Sequence, residues 1–153
     1  MQARKIDWMD VQRDLSRFLE IAQDISPKRP DLTQLKTQFE RLDAFGFYDG
    51  SILAGFALVD TNSFCLANCA LIWKLQYSWE YNQEQTIAGI LRAVAAAYRG
   101  TKIEILAMDI DKKHELNRQL YARLGFRDSP MRGLNGKNST VILASIADLL
   151  RDS

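Results

Sequence analysis

The stretch LYARLGFR, residues 120–127, joins the end of a helix to the start of a strand. Upstream of it, leucines recur every four residues, the spacing of one helix face: Leu116, Leu120 and Leu124. Gly125 follows at once and suits the left-handed backbone conformation that closes a helix. A strand over residues 102–109, ending at Asp109, precedes this helix, and we expect Asp111 to cap it. The segment therefore predicts a strand, a helix, a tight turn and a second strand in succession.

The rest of the chain continues this alternation in both directions. Helical periodicity marks residues 11–25, 32–42 and 83–99, and apolar alternation marks strands over 3–8, 46–49, 51–60, 64–77, 126–132 and 139–146. Asp49-Gly50 predicts a tight hairpin turn, while Gly46 and Gly100 are expected to end helices. A last helical turn is expected at 147–151. The order β-α-α-β-β-β-α-β-α-β-β predicts an α/β (α+β) fold with a mixed, mostly antiparallel, twisted sheet and helices on both faces.

Composition limits the classes of protein that this chain can represent. Its 153 residues carry 20 Lys and Arg against 19 Asp and Glu, a net charge of +1, so no global field favours nucleic acid or a membrane. We expect one cytoplasmic domain over residues 1–153, with no membrane span and no signal peptide. Cys65 and Cys69 would lie ~13 Å apart in a strand, too far for a disulfide, and no metal-ligand spacing accompanies them.

The helix end at residues 120–127 also carries a family resemblance. Tyr121, Gly125 and Phe126 match the Tyr-x-x-x-Gly-Phe stretch that closes the second core helix of the GNAT superfamily of acyl-CoA-dependent N-acyltransferases. The order of elements resembles that of the family over essentially the whole chain. The resemblance implies a single GNAT-like domain and acetyl-CoA as co-substrate.

The resemblance also assigns a cofactor-binding segment, QEQTIA, at residues 83–88. The family signature is Gln or Arg, two residues, Gly, one residue, and Gly or Ala; here Gln83 and Ala88 match, and Thr86 replaces Gly. The first turn of a helix suits a pyrophosphate because of its N–H groups and its dipole. Thr86 would either crowd the phosphates or donate a hydroxyl, and the Glu84 carboxylate would repel them. The cofactor-binding residues implied are Gln76, Tyr77, Ser78, Gln83, Glu84, Gln85, Thr86, Ile87, Ala88, His114, Asn117 and Tyr121.

Three residues are candidates for proton transfer. The resemblance implies that the Tyr121 phenol is the general acid for the departing thiolate; the alternative is a half-buried helical aromatic with its hydroxyl at the surface. Many family members place a Glu on the fourth strand as the base, but residues 70–75 contain no acid and only Lys74. Glu80 and Asp109 are the nearest acids, although each is also explained as a solvated or capping charge. His114 stands where the family carries Asn, and it would be either a cofactor contact or a solvated first-turn residue.

The acceptor implied is a small-molecule or protein amine, and the resemblance leaves room for a homodimer. Basic residues of two loops are candidates for binding an anionic group of the acceptor: Lys28, Arg29, Arg132 and Lys137. Trp79 and Tyr81 are candidates for the acceptor pocket. Two alternatives to an N-acetyltransferase stay open. One is a catalytically degenerate GNAT-fold module that binds acyl-CoA or another protein, and the other is a generic α/β ligand-binding domain.

Overall fold

The computed structural model describes residues 2–22, 32–62, 68–78, 80–111, 115–133 and 138–151. Its elements, in chain order, are β1 (Gln2–Lys5), α1 (Trp8–Ala22), α2 (Leu32–Arg41), β2 (Asp43–Asp49), β3 (Ile52–Asp60), β4 (Cys69–Tyr77), α3 (Gln83–Tyr98), β5 (Ile105–Asp111), α4 (Glu115–Leu124), β6 (Arg127–Arg132), β7 (Ser139–Ser145) and α5 (Ile146–Arg151). The predicted order of elements is confirmed, and the expected last helical turn is α5.

The seven strands form one sheet in the order β1-β2-β3-β4-β5-β7-β6. β4 and β5 pair in parallel, with Cys69–Ile72 beside Ile105–Met108. The pairs β1–β2, β2–β3, β5–β7 and β6–β7 are antiparallel. The prediction of a mixed, mostly antiparallel sheet is therefore confirmed.

The chain divides into two compact units, and the first comprises Met1–Val59 and Lys74–Ala93. One face of its β2–β3 hairpin packs on α1 and α2. This core is apolar throughout and has an aromatic centre: Trp8, Val11, Leu15, Leu35, Phe39, Ala44, Phe56 and Leu58. Trp8 and Phe39 meet edge to face with ring centroids 5.7 Å apart. The described residues of the predicted apolar faces are therefore buried, Val11 and Leu15 in α1 and Leu35 and Phe39 in α2.

The other face of the same hairpin packs on α3 at two glycines. A Cβ on Gly89 of α3 would lie 2.4 Å from the Phe47 ring, and one on Gly55 of β3 would lie 2.7 Å from the Cδ1 atom of Ile90. Phe47 and Gly55 are directly paired in the β2–β3 register, so they share a face. Helices therefore cover both faces of this hairpin, and the glycines permit the close approach of α3.

The second unit comprises Asp60–Trp73 and Val94–Ser153. Its apolar cluster joins β4, β5 and β7 through Cys69, Leu71, Ala107 and Val141. Gly100 and Gly125, at the ends of α3 and α4, have φ angles of 78° and 112°. Only glycine adopts this left-handed region readily, and the predicted helix stops at both positions are confirmed.

One local prediction was wrong. Gly46 does not end α2 but lies inside β2, opposite Arg4 and Phe56, because α2 already ends at Arg41. A Cβ there would lie 2.8 Å from the Tyr48 ring of the same strand and 3.0 Å from the Cγ2 atom of Ile6, so close side-chain packing explains this glycine. Asp111 is the last residue of β5, where it pairs with Ser139, and its expected role as the cap of α4 stays a prediction because residues 112–114 lie outside the described part of the chain. β7 continues to supply backbone partners beyond Asp109, so the strand runs two residues further than expected.

Within the described residues, no helix combines the length and the apolarity that a membrane crossing requires. No group of three or more metal-ligating side chains converges in this part of the chain. Cys69 is a buried thiol that forms no disulfide among the described residues, and Cys65 lies outside them.

Candidate active site

We name the connection of β4 to α3, residues 76–78 and 80–86, the β4–α3 junction. Ser78 holds it in place: its N–H donates to the Ala54 carbonyl of β3 at 2.8 Å, and its carbonyl accepts the Tyr81 N–H at 3.2 Å. The Ser78 hydroxyl accepts the Glu80 N–H at 3.3 Å. Ser78 is 3% exposed. The loop is therefore fixed to the sheet, and the Ser78 amide hydrogen is already used within it.

Asn82 caps the N-terminus of α3. Its side-chain oxygen accepts the Gln85 N–H, and its carbonyl accepts the Thr86 N–H, both at 3.0 Å. This is the standard arrangement for an N-cap residue. Gln83, Glu84 and Gln85 are exposed in the first turn. The positive end of the α3 dipole therefore faces solvent, where an anion can approach it.

The second half of the QEQTIA segment is buried. Thr86, Ile87 and Ala88 are 0%, 1% and 7% exposed. The Thr86 hydroxyl finds no hydrogen-bond partner among the described residues. The Thr86 side chain therefore packs inside the first unit and does not project from the helix end.

Two tyrosines connect the junction to neighbouring side chains. Burial raises the pKa of Tyr77, and a hydrogen bond with the Gln83 side chain lowers it to a smaller extent. Burial also raises the pKa of Tyr81, as do the charge of Asp49 and the hydrogen bond that the phenol donates to that carboxylate. Gln83, the first residue of the family signature, is thus held by Tyr77. Tyr81, a candidate for the acceptor pocket, joins the junction to the β2–β3 turn through this hydrogen bond.

We name residues 120–127, where α4 leads into β6, the α4–β6 junction. Tyr121 is 7% exposed and meets Phe126 edge to face, with ring centroids 5.9 Å apart. Both line a cavity of about 340 Å³ beside Ile110 and Ile142, with Arg118 and Asp128 paired at 3.5 Å on its wall. Tyr121 is therefore more buried than a half-exposed helical aromatic, and it borders an open volume.

The remaining predicted site residues lie in several places. Glu80 is exposed in the β4–α3 junction, Asp109 is half-buried in β5, and Asn117 is half-buried in α4. The structure brings Gln76 through Ala88 together in the first unit, whereas Asp109, Asn117 and Tyr121 belong to the second. Five further candidates lie outside the described residues: Lys28, Arg29, Trp79, His114 and Lys137. The Arg132 side chain does also.

Sequence reasoning missed two residues that shape the β4–α3 junction. Asn82 followed by Gln85 is a recognisable N-cap pattern, a capping residue with Glu or Gln three positions later, so the signal was present. The pairing of Tyr81 with Asp49 joins positions far apart in the sequence, and no local pattern predicts it.

Comparison with solved structures identifies the fold. The aminoglycoside 6'-N-acetyltransferase of Enterococcus faecium superposes with a TM-score of 0.75 at 10% identity, covering 95% of this chain and 97% of that one. A PaiA N-acetyltransferase of Thermoplasma acidophilum, solved with coenzyme A, superposes with a TM-score of 0.72 at 14% identity. The superposition covers 94% of this chain and 98% of that one. A ribosomal-protein alanine N-acetyltransferase of Escherichia coli superposes with a TM-score of 0.69 at 15% identity, covering 95% of this chain and 93% of that one.

These neighbours are all acetyltransferases, and the coverage is nearly complete on both sides. The chain therefore has the fold of the GNAT acetyltransferases, and the resemblance inferred from residues 120–127 is confirmed at the level of the fold. No protein-family model matches the sequence, and no curated protein does.

Proposed function

We propose that the chain is an N-acetyltransferase that transfers an acetyl group from acetyl-CoA to a primary amine by direct attack on the thioester. The observation that carries this proposal is the capped, solvent-facing N-terminus of α3, placed directly after β4 in a GNAT fold. One structural neighbour was solved with coenzyme A, which supports an acyl-CoA as the donor.

The residues of the β4–α3 junction fit a coenzyme A pyrophosphate in part. The helix dipole and the polar first turn, Gln83 to Gln85, favour a phosphate, and the buried Thr86 leaves the approach open. The Glu84 carboxylate opposes it. We propose that the backbone of Gln76 and Tyr77 holds the pantetheine arm, since the Ser78 amide already bonds to β3. Ile87 and Ala88, which are buried behind the first turn of α3, would support it. Asn117 and His114 stay candidates for contacts with the donor.

In the proposed reaction, the neutral acceptor amine attacks the thioester carbonyl, and the Tyr121 phenol gives its proton to the departing thiolate. Glu80 and Asp109 are the candidate bases that take the proton of the amine. The variants Glu80→Gln and Asp109→Asn test them. The variant that lacks the true base should have a lower kcat/KM, and its kcat/KM should depend more steeply on pH than that of the wild type. The other variant should behave like the wild type.

A thermal-shift titration with acetyl-CoA, free CoA and ATP tests the binding step. At a ligand concentration a hundred times Kd, binding raises the free energy of unfolding by about 2.7 kcal/mol. This corresponds to a rise in Tm of roughly 5–10 °C for a domain of this size. A shift with both CoA species and none with ATP supports the proposed site. Equal shifts with all three would indicate a general phosphate site, and no shift would contradict the proposal.

The alternative function is a degenerate acyl-CoA-binding or protein-interaction module. The feature that favours it is Glu84 in the first turn of α3, together with a fourth strand that carries Lys74 and no acid. A CoA-selective shift without acetylation of any amine in a broad panel would favour the module over the enzyme.

A further inference from the structure

Lys74, in the second half of β4, has no counter-charge among the described residues. The residue is half-buried, and the described part of the chain offers its ammonium neither a hydrogen bond nor an ion pair. Burial lowers the pKa of Lys74, and no charged group of the described residues contributes to that change. No carboxylate of the described residues is therefore close enough to stabilise the ammonium.

The other three lysines that the structure describes have the usual surroundings of this residue type. Lys36 and Lys102 are exposed, and Lys5 pairs with Asp43 at 3.8 Å. A long flexible side chain normally keeps its charged end in water. When a lysine is partly removed from water and has no partner, a ligand that brings a counter-charge stabilises its ammonium.

The position of Lys74 connects it with the proposed reaction. Lys74 precedes Gln76 by two residues, about 7 Å along a strand, and the Gln76 and Tyr77 backbone is where we place the pantetheine arm. The side chain of Lys74 adds several ångströms of reach beyond its Cα. A group bound by this ammonium would thus lie near an acceptor that reacts at the end of that arm.

We infer that Lys74 binds a carboxylate of the acceptor, so that the preferred acceptor is a small amine that also carries a carboxylate. This inference rests on the proposed function. An ammonium at this place attracts such an acceptor and repels one with several positive charges. Acceptors rich in amino groups, such as the aminoglycosides named for one structural neighbour, should therefore be poor substrates of this chain.

The kinetic test compares each acceptor with its own neutral counterpart. Glycine, β-alanine and glutamate are paired with their carboxamides, and spermidine serves as the polycation. We expect the wild type to favour the carboxylates by about tenfold in kcat/KM. Lys74→Arg should keep this preference, Lys74→Met should reduce it to about twofold or less, and Lys36→Met, a control at an exposed lysine, should leave it unchanged. Equal rates for acids and amides, or an unchanged preference in Lys74→Met, would overturn the inference.

A second measurement needs no turnover, so it separates the failure of this inference from the failure of the proposed function. An amine-reactive reagent labels the wild-type protein at pH 8, and peptide mass spectrometry follows the Lys74 and Lys36 amines. The free amines of the acceptors consume reagent equally for both lysines, so the readout is the ratio of Lys74 to Lys36 labelling. Saturating carboxylate acceptors should lower this ratio about fivefold, and their carboxamides should leave it unchanged. If no amine is acetylated, this protection still supports the carboxylate site. If the carboxylates do not change the labelling of Lys74, the inference is overturned, even in an active enzyme.

Discussion

The two junctions that carry the family signatures differ in how the structure uses their side chains. At the α4–β6 junction the signature is intact, and its side chains are buried: Tyr121 is 7% and Phe126 is 3% exposed. At the β4–α3 junction the signature is incomplete, and Gln83 to Gln85 are exposed. Packing restricts side-chain identity in the first case. In the second, a helix end offers backbone groups and a dipole that tolerate sequence change.

The largest effect should follow from removing the Tyr121 hydroxyl. If the phenol is the general acid, Tyr121→Phe lowers kcat about 100-fold and leaves the Kd for acetyl-CoA nearly unchanged. The ring remains, so its edge-to-face contact with Phe126 persists. Steady-state kinetics and a CoA titration check this.

The matched control is Tyr98→Phe, which removes a hydroxyl from another buried tyrosine at the end of a helix. It should lower stability as much as Tyr121→Phe does and leave kcat unchanged. Equal rates in the Tyr121 variant and the wild type would remove the general-acid role, and the α4–β6 junction would then be a packing motif alone.

The next largest effect concerns the support beneath the β4–α3 junction. In Gly55→Ala, the new Cβ would lie 2.8 Å from the Gln76 carbonyl oxygen and 2.7 Å from the Cδ1 atom of Ile90. The end of β4 must move, so we expect a loss of about 2 kcal/mol in the free energy of unfolding and weaker binding of CoA.

Gly50→Ala serves as the control for this change. Gly50 has open space around it but a φ of 61°, so the substitution costs about 1 kcal/mol through backbone strain and should not alter CoA affinity. Denaturant unfolding and calorimetric titration separate the two effects. If both variants bind CoA as the wild type does, the backbone of Gln76 has no part in binding.

A smaller effect should come from the α3 cap, and it separates capping from anion binding. Asn82→Ala removes the acceptor of the Gln85 N–H, so stability should fall by about 1 kcal/mol. Asn82→Asp keeps the capping oxygen, and its negative charge interacts favourably with the positive end of the helix dipole. The free energy of unfolding should therefore stay unchanged. Its new carboxylate would repel a pyrophosphate, and the Kd for CoA should rise about tenfold at low salt. An unchanged Kd in Asn82→Asp would place the phosphates away from α3.

The same contrast explains how much the sequence predicted. Local signals predicted the order of elements, the Asp49-Gly50 turn and the helix stops at Gly100 and Gly125, because each depends on periodicity or on one residue's backbone preference. Gly46 was misassigned because the neighbouring strands, which local patterns do not report, determine its conformation.

Predictions about the candidate site divide in the same way. The residue types at the α3 N-terminus are evident from the sequence, but which of them face solvent depends on how α3 packs in the fold. Thr86 was expected to crowd or contact the phosphates, and it is fully buried. At Lys74 the sequence indicates only that β4 carries a lysine and no acid. That no described residue pairs with this lysine is a property of the folded chain. The catalytic assignments of Tyr121, Glu80 and Asp109 stay predictions.

The smallest expected effect concerns the cost of the Lys74 charge to the fold. Because burial lowers the pKa of Lys74, the unfolded chain holds this proton to higher pH than the folded chain does. Below the folded pKa both states are protonated, and the cost of the buried charge is fully present. As the pH rises from the folded pKa toward the ordinary value of 10.5, that cost disappears and the stability contributed by this residue increases.

Lys74→Met should therefore stabilise the protein at pH 7, by roughly 0.5 kcal/mol or about 2 °C in Tm, since solvent screens part of a half-exposed charge. The advantage of the variant over the wild type should shrink as the pH approaches 10, whereas Lys36→Met should show no such trend. Differential scanning calorimetry between pH 7 and pH 10 measures the stability difference from the wild type and its change with pH for both variants. A variant that is less stable than the wild type at pH 7 would show that the ammonium already has a stabilising partner, and the acceptor carboxylate inferred for it would then have no vacant charge to bind.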